Sequence, residues 1–232
     1  MKILGIIPAR GGSKGIPDKN IKMLGGKPLL HYTAEVALQS SMLDRLILSS
    51  DSLDIIAVAK QMGLDAPFIR PAELATDTAP TLGVVQHALD FYALQGERFD
   101  AICLLQATSP FRTTAFLDEA IAKFCATGAD SLVSVREVPH EFNPHWVFEV
   151  GDNQNLRLAT GESQIITRRQ ELPKAYYRDG SIYLTKSDVI RAGSLFGNKI
   201  GYIESKTFHV NIDTQADWDK AQQWLDNGDF MS

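Results

Sequence analysis

The sequence predicts an α/β protein built on a doubly wound, mostly parallel sheet. Strand and helix patterns alternate along most of the chain, as in sheets that carry helices on both faces. Residues 3–7 and 102–105 are continuously apolar, which is typical of strands buried on both faces. Ligands in such sheets bind beyond the carboxyl ends of the strands, so function is expected in the loops that follow them.

Short apolar runs bounded by turn-forming residues predict the strands. The runs are too short to be typical helices, and polar segments separate them. In chain order, the predicted strands are residues 2–8, 45–49, 100–105, 130–135, 181–185 and 199–204.

Apolar residues at helical spacing, together with capping signals, predict the helices between these strands. The second helix shows the pattern well, because Gly63 ends it and its predicted buried stripe consists of Ile55, Ile56, Val58 and Ala59. Thr214 is a favourable N-cap for the last helix. In chain order, the predicted helices are residues 29–39, 54–62, 81–95, 115–126, a short helix from 187 and a last helix from 214 to about 227.

The alternation breaks at residues 137–177, which are rich in proline and contain two strand-like pieces, residues 145–150 and 163–167. The segment is either a long surface loop or an insertion. A structureless loop of this length is uncommon in a compact domain. We therefore interpret residues 1–232 as one domain with an inserted hairpin at 137–177 that packs against a second subunit in a homodimer.

Charge and cysteine usage limit the function classes. The net charge is −5 and the pI is about 5.5, which argues against a broad nucleic-acid or basic membrane-surface binder. No apolar segment approaches the roughly 20 residues that span a bilayer, and no signal-peptide pattern is visible. Cys103 and Cys125 lie in apolar patterns and are predicted to be buried, as in a cytoplasmic protein.

The loop at residues 8–20, after the first predicted strand, combines glycines with cations. Glycines let backbone N–H groups approach a ligand closely, and successive N–H groups form a concave anion site. The residues concerned are Gly11, Gly12 and Gly15, with Arg10, Lys14 and Lys19. The alternative is a tight turn with solvated lysines. The loop matches neither the Walker A nor the dinucleotide pattern, and it predicts a site for a multiply charged anion such as a nucleoside triphosphate.

Hydrogen-bonding side chains follow the strand predicted at residues 100–105. Gln106, Thr108 and Ser109 lie at its carboxyl end, where a substrate would bind. The alternative is structural, with Ser109 in a turn and Thr113 capping the next helix.

Asn211 and Asp213 are two residues apart, so in extended backbone their side chains lie on the same face. A carboxylate there suits Mg²⁺, which takes carboxylate and phosphate oxygens. The alternative is that Asp213 only precedes the helix capped by Thr214.

Arg168 and Arg169 are adjacent, and a guanidinium pairs well with a carboxylate of a ligand. The alternative is a surface salt bridge to Glu162 or Glu171, of the kind that contributes little.

Together, these segments resemble the acylneuraminate cytidylyltransferases, also called CMP-sialic acid synthetases. The resemblance runs from residue 3 to about residue 218. The blocks that carry it are IPARGGSKGIPDKN from Ile7, SSD from Ser49, RPAELATDT from Arg70, LLQATSPFR from Leu104, RRQ from Arg168, DGSIY from Asp179 and NIDT from Asn211.

The resemblance implies a doubly wound nucleotidyltransferase fold of the nucleotide-diphospho-sugar transferase type. It implies transfer of CMP from CTP to the anomeric hydroxyl of a nonulosonic (nine-carbon, sialic-type) acid, with release of pyrophosphate. It also implies Mg²⁺ or Mn²⁺ as cofactor, a homodimer, and a role in cell-surface polysaccharide biosynthesis.

The resemblance also implies residue roles. The catalytic residues would be Arg10, Lys14, Lys19 and Asp213. The nucleotide-binding residues would be Ala9, Arg10, Gly11, Gly12, Ser13, Lys14, Asn20, Arg70 and Thr81. The sugar-binding residues would be Gln106, Thr108, Ser109, Arg168, Arg169, Gln170 and Tyr183. Asp213 and Asn211 would hold the metal.

The chain departs from the family pattern near the expected sugar and metal sites. Asp179 stands where the family usually has Asn, Ser181 where it has Ala, and Asn211 where it has Asp. The first two leave the sugar open. The third reduces the negative charge available to a metal.

Three alternatives therefore stay open. The first is the same reaction on legionaminic, pseudaminic or 3-deoxy-octulosonic acid. The second is a nucleotidyltransferase for sugar 1-phosphates, which often places a metal-binding Asp where this chain has Gln106. The third is a nucleotide-binding module without turnover. The general base also stays open between a metal-bound hydroxide and a side chain.

Overall fold

A six-stranded mixed sheet forms the centre of the structure, a computed structural model that describes residues 1–13 and 15–228. The strands are β1 (Ile3–Pro8), β2 (Met23–Leu24), β3 (Lys27–Pro28), β4 (Arg45–Ser49), β5 (Ala101–Leu105), β6 (Ser131–Glu137), β7 (Phe148–Val150), β8 (Leu156–Leu158), β9 (Tyr176–Lys186) and β10 (Ile200–Glu204). The α-helices are α1 (Leu29–Gln39), α2 (Leu53–Gln61), α3 (Thr81–Leu94), α4 (Thr114–Thr127), α5 (Ser187–Arg191) and α6 (Gln215–Asp226). Short 3-10 helices span Ala72–Leu74, His140–Phe142, Pro144–Trp146, Asp152–Gln154 and Arg169–Glu171.

The strand order in the central sheet is β10-β6-β9-β5-β1-β4. β1 pairs in parallel with both neighbours, and Ile6 lies opposite Ile47 on one side and Leu104 on the other. β9 runs antiparallel between β5 and β6, and β10 is parallel to β6. The predicted doubly wound, mostly parallel sheet is therefore confirmed, with β9 as its antiparallel strand.

Two apolar layers cover the faces of the sheet, because successive side chains of a strand point to opposite faces. Ile3 and Ile7 of β1 pack with α1, α2 and α4. Leu4 and Ile6 pack with α3 and α5. The alternation explains why β1 is continuously apolar.

α6 packs away from the sheet, against the segment that follows β1. Thr214 caps it through a reciprocal pair of hydrogen bonds with Asp217. Trp218 and Ala221 are buried against a cluster that includes Ile16 and Leu24. This packing brings the residues before α6 next to the glycine-rich loop.

The segment at residues 137–177 contains a β7–β8 hairpin, in which Glu149 lies opposite Arg157. The second strand predicted there, at residues 163–167, is wrong, because those residues form no strand. The carbonyl of Ile166 instead accepts a 2.5 Å hydrogen bond from the indole N–H of Trp146. The packing of this segment against a second subunit stays a prediction.

The cysteines differ from the prediction at one position. Cys103 is buried in β5, as predicted, but Cys125 is exposed on α4. The buried stripe of α4 includes Ile121 and Phe124, and one further residue turns about 100° around a helix, away from that stripe.

Among the described residues, no helix combines the length and the apolar character needed to cross a membrane.

Candidate functional site

A cleft of about 370 Å³ opens at the carboxyl ends of β1 and β5. It brings together many of the predicted site residues from distant parts of the chain. Those that line it are Arg10, Ser13, Lys19, Asn20, Arg70, Thr81, Gln106, Thr108 and Asp213. Lys14, predicted to bind phosphate, lies outside the described residues, and its role stays a prediction.

Hydrogen bonds to the end of β4, to Asp51 and from Asn20 fix the conformation of the glycine-rich loop. The backbone N–H of Ala9 donates to the carbonyl of Ser49 at 3.0 Å, and that of Gly11 donates to a carboxylate oxygen of Asp51 at 3.0 Å. The buried Asn20 side chain donates to the carbonyl of Arg10 at 3.0 Å. Ala9, Gly11 and Asn20 therefore shape the loop, whatever ligand it meets.

The loop also touches the segment before α6. A Cβ on Gly15 would lie 2.5 Å from the carbonyl oxygen of Asp213, so only glycine permits this approach. Lys19 Nζ donates to the carbonyl of Ile212 at 2.7 Å and lies 3.1 Å from Asp213 Oδ1. Gly12, also predicted to bind nucleotide, has a φ of +63° with open space around its Cβ position.

The cations of the cleft are paired with carboxylates. Arg10 lies 2.5 Å from Asp77, and each side chain is about one third exposed (32% and 33%). Arg70 lies 3.6 Å from Asp51. No role was predicted for Asp51 or Asp77 from the sequence. Both lie in segments that resemble the family, and that position could have indicated that they belong to the site.

Arg70 is the most buried of these cations, with 5% of its surface exposed. In the described part of the chain, its Nε and Nη2 atoms make no hydrogen bond within 3.5 Å, and Nη2 is the nitrogen that lies 3.6 Å from Asp51 Oδ1. Burial lowers the pKa of its guanidinium, and the nearby Asp51 opposes that shift. A buried guanidinium at a cleft, with donors that make no short hydrogen bond, is suited to bind phosphate oxygens.

Polar groups from separate segments meet on the other side of the cleft. Thr108 Oγ1 lies 3.4 Å from Gln106 Oε1. Ser109 is buried, and its hydroxyl has no partner among the described residues. Gly180, with a φ of +80°, has its Cβ position 3.4 Å from Ser109 Oγ and 4.0 Å from oxygens of both Gln106 and Asn211. These groups can donate to or accept from a hydroxyl-rich ligand.

Asn211 and Asp213 lie together at the junction of the two sides. Asn211 Nδ2 donates to Asp213 Oδ2 at 2.5 Å, and the Asp213 side chain is 61% exposed. No group of three His, Cys, Asp or Glu residues that could hold a metal occurs in residues 1–13 and 15–228. One carboxylate beside an amide nonetheless fits Mg²⁺, which is commonly bound by one or two carboxylates completed by phosphate oxygens and water.

The structure leaves the other predicted sugar residues outside the cleft. Tyr183 is buried, with its ring centroid 6.3 Å from that of Phe196, and burial raises its pKa. Arg168, Arg169 and Gln170 are exposed on the inserted segment. Arg168 pairs with Glu171, and Arg169 lines a separate groove.

Comparison with known proteins agrees with the geometry. A family model described as cytidylyltransferase matches residues 4–227. The chain is 39% identical over 187 residues to the pseudaminic acid cytidylyltransferase of Campylobacter jejuni, covering 81% of this chain and 79% of that protein. It is 35% identical over 229 residues to the CMP-N,N'-diacetyllegionaminic acid synthase of Legionella pneumophila, covering 97% of each.

A solved structure of CMP:2-keto-3-deoxy-manno-octonic acid synthetase complexed with CTP has the same fold. Its TM-score to this chain is 0.73 at 17% identity, and the match covers 98% of this chain and 100% of that one.

Proposed function

This chain belongs to the cytidylyltransferase family, and we propose that it couples CTP to the anomeric hydroxyl of a nonulosonic acid, releasing pyrophosphate. One observation carries the proposal. A single cleft joins a cationic side, with Arg10, Lys19 and Arg70, to a hydrogen-bonding side, with Gln106 and Thr108. The names of the relatives, a pseudaminic acid cytidylyltransferase and a legionaminic acid synthase, support the class of acceptor.

The cationic side would hold the triphosphate. Phosphoryl-type transfer depends mainly on positioning and on neutralising the charge that develops on the phosphate oxygens. Arg10 would exchange the Asp77 carboxylate for a phosphate oxygen when CTP enters. Arg70 would bind phosphate oxygens through Nε and through Nη2, the nitrogen that lies 3.6 Å from Asp51. The leaving pyrophosphate would then be stabilised before it departs.

Asp213, with Asn211 beside it, would hold Mg²⁺ or Mn²⁺ together with phosphate oxygens. Such a cation, when bound, neutralises phosphate charge and lowers the pKa of an oxygen that it ligates. Lys19, at 3.1 Å from Asp213, would orient that carboxylate.

The hydrogen-bonding side would orient the sugar acid. Gln106 and Thr108 follow β5 and line the same cleft as Asp213, where the anomeric hydroxyl would reach the α-phosphorus. The sequence assigns the acid's carboxylate to Arg168 and Arg169, which are exposed outside this cleft. Their role therefore requires the inserted segment to approach a cleft, and we propose that a homodimer provides that approach.

The exposed apolar residues of the hairpin support a homodimer. Phe148, Val150 and Leu156 are 46%, 75% and 66% exposed, and covering them would bury apolar surface. Mixing Arg169→Ala with Asp213→Ala subunits tests a shared site. If each cleft combines two subunits, the mixture regains about a quarter of wild-type turnover, since half of randomly mixed dimers are hybrids with one intact site. A mixture that stays inactive would place Arg169 in its own subunit's cleft or outside the mechanism.

Pyrophosphate release from CTP and Mg²⁺ tests the reaction. We expect one acid to be clearly preferred among pseudaminic, legionaminic, N-acetylneuraminic and 3-deoxy-octulosonic acids, with glucose 1-phosphate as the competing class of acceptor. Bound CTP without release on any acceptor would favour the module without turnover, and Asn211→Asp would then be the first variant to assay.

A cytoplasmic location and a role in cell-surface polysaccharide biosynthesis belong to the same proposal. Both rest on the sequence: the first on the sparse use of cysteine and the second on the resemblance.

A further inference from the structure

Arg112 lies beneath the hydrogen-bonding side of the cleft and is 3% exposed. Its guanidinium makes a hydrogen bond through each of its three nitrogens. Nε donates to Ser181 Oγ at 2.9 Å, Nη1 to Thr33 Oγ1 at 2.8 Å, and Nη2 to the carbonyl of Gln106 at 2.6 Å. One side chain thereby joins α1, the loop after β5, and β9.

The acceptor on β9 belongs to a further buried network. The backbone N–H of Ser181 donates to Asp179 Oδ1 at 2.9 Å, and Ser134 Oγ donates to the same oxygen at 2.5 Å. Gly180 lies between the two, with its Cβ position 4.0 Å from Gln106 Oε1. The fork of Arg112 therefore sets the distance between the Gln106 loop and the turn at Gly180.

Stability alone is a poor reason to bury this cation. Its three acceptors are two hydroxyls and a carbonyl, and none is a carboxylate. Desolvating a charge is costly, and apolar residues of similar volume often stabilise a fold as well or better. Burial lowers the pKa of Arg112 to about 10, so the side chain remains protonated at neutral pH and its donors stay in place.

We propose that Arg112 is a positioning residue for the sugar acid: it fixes the backbone of Gln106, and through it the Gln106 amide and the Thr108 hydroxyl that line the cleft. The inference rests on the proposed function for its substrate, but its geometry does not depend on turnover. Within residues 1–13 and 15–228, the hydrogen bonds of this fork go to Ser181, Thr33 and Gln106 and none goes to the glycine-rich loop, so the nucleotide side should be insensitive to it.

The kinetic test compares Arg112→Lys with wild type in pyrophosphate release. Lysine keeps the charge but cannot reach three acceptors with a rigid fork. We expect kcat/KM for the acid to fall about 100-fold, the scale of a displacement of about 1 Å in a positioned group, while KM for CTP changes less than about threefold. Arg136→Lys is the matched control, because Arg136 also donates to a carbonyl, that of Thr207 at 2.7 Å. An equal rise in both KM values, or no change for the acid, would overturn the proposal.

Hydrogen–deuterium exchange supplies a readout without turnover. In Arg112→Lys we expect faster exchange in residues 105–111 and 179–183 and unchanged exchange in residues 8–13. Faster exchange throughout the chain would mean that Arg112 only stabilises the fold. Unchanged exchange in every segment would mean that it does not fix the Gln106 loop. Should Arg112→Lys fail to fold, Ser181→Ala removes one acceptor of the same fork and is expected to give the same pattern at smaller size.

A wild-type chain that releases no pyrophosphate with any acid would refute the proposed function alone. The exchange pattern would then still decide whether Arg112 fixes the Gln106 loop.

Discussion

The two sides of the cleft hold their polar groups in different ways. On the cationic side, Arg10 and Lys19 are paired with Asp77 and Asp213 in contacts that are partly open to solvent. On the hydrogen-bonding side, Arg112 and Asp179 are buried in a network of hydroxyls and backbone groups. In the first set, the Arg10–Asp77 pair is open enough for another anion to replace the carboxylate. The second set is fixed by buried hydrogen bonds.

This difference suggests a division of roles, in which the cationic side sets the affinity for the nucleotide and the hydrogen-bonding side sets the selectivity for the sugar acid. Partly exposed ion pairs are weak and screened by salt, so under the proposed function a triphosphate would replace the Asp77 carboxylate at Arg10 at little cost. Buried polar networks are costly to rearrange, so they discriminate between ligands by shape. We expect variants on the cationic side to change the kinetic constants for CTP, and variants on the hydrogen-bonding side to change those for the sugar acid.

Asp213→Ala tests the junction of the two sides and should have the largest effect. We expect kcat to fall about 1000-fold or more, because a charge stabiliser at the reacting phosphate is lost. The fold should be spared, since the side chain is 61% exposed. Turnover at saturating Mg²⁺ and thermal unfolding measure the two effects. Asp219→Ala, an exposed position on α6, is the control, and full activity of Asp213→Ala would remove this carboxylate from the mechanism.

Arg70→Met tests the cationic side alone. We expect KM for CTP to rise about 10- to 100-fold, which corresponds to the loss of hydrogen bonds to a charged group. Stability should be equal or higher, because a desolvated cation is replaced by an apolar side chain. Arg45→Met, which removes an arginine paired with Glu97 outside the cleft, should leave CTP kinetics unchanged. A selective change in KM for the acid would break the division between the two sides.

Asp77→Asn should have a smaller effect of opposite sign. Without the carboxylate, Arg10 loses a competitor for phosphate, and we expect KM for CTP to fall about threefold at low salt. The gain should disappear at high ionic strength. Glu73→Gln removes an exposed charge from the same loop and serves as the control. A rise in KM would mean that Asp77 positions Arg10 instead of competing for it.

The pH dependence of stability has the smallest expected effect and concerns the hydrogen-bonding side. Burial lowers the pKa of His209, although Asp179 opposes the shift. The unfolded chain therefore binds this proton more readily than the native state. The contribution to stability is complete above the unfolded pKa of about 6.5 and is lost as the pH falls below it towards the native pKa. We expect the Tm of His209→Gln to fall less than that of wild type between pH 7 and pH 5. Parallel curves of Tm against pH for the two proteins would contradict this. Burial also lowers the pKa of His87, which accounts for any decrease of Tm with pH that remains in the variant.

Local signals predicted the frame of the molecule, and they predicted the site only in part. The bounds of α1 and β4 agree with the prediction at both ends. Proline before a helix and a short apolar run are local signals, because each determines the structure of the residues next to it. The pairing of Arg10 with Asp77 depends on which loops meet at the sheet edge, and no local pattern encodes that meeting. Arg112 was visible in a motif, but its position beneath Gln106 follows from a chain reversal within the loop after β5.

The contact between Lys19 and Ile212 spans 193 positions of the chain, and this has a consequence during synthesis. A chain made from its N-terminus folds progressively, and contacts between distant residues form late. The glycine-rich loop leaves the ribosome early, whereas its partner Ile212 is translated 193 positions after Lys19. A nascent chain therefore carries the loop without this contact until Ile212 has been made, and the loop reaches its folded surroundings only when the segment before α6 packs against it.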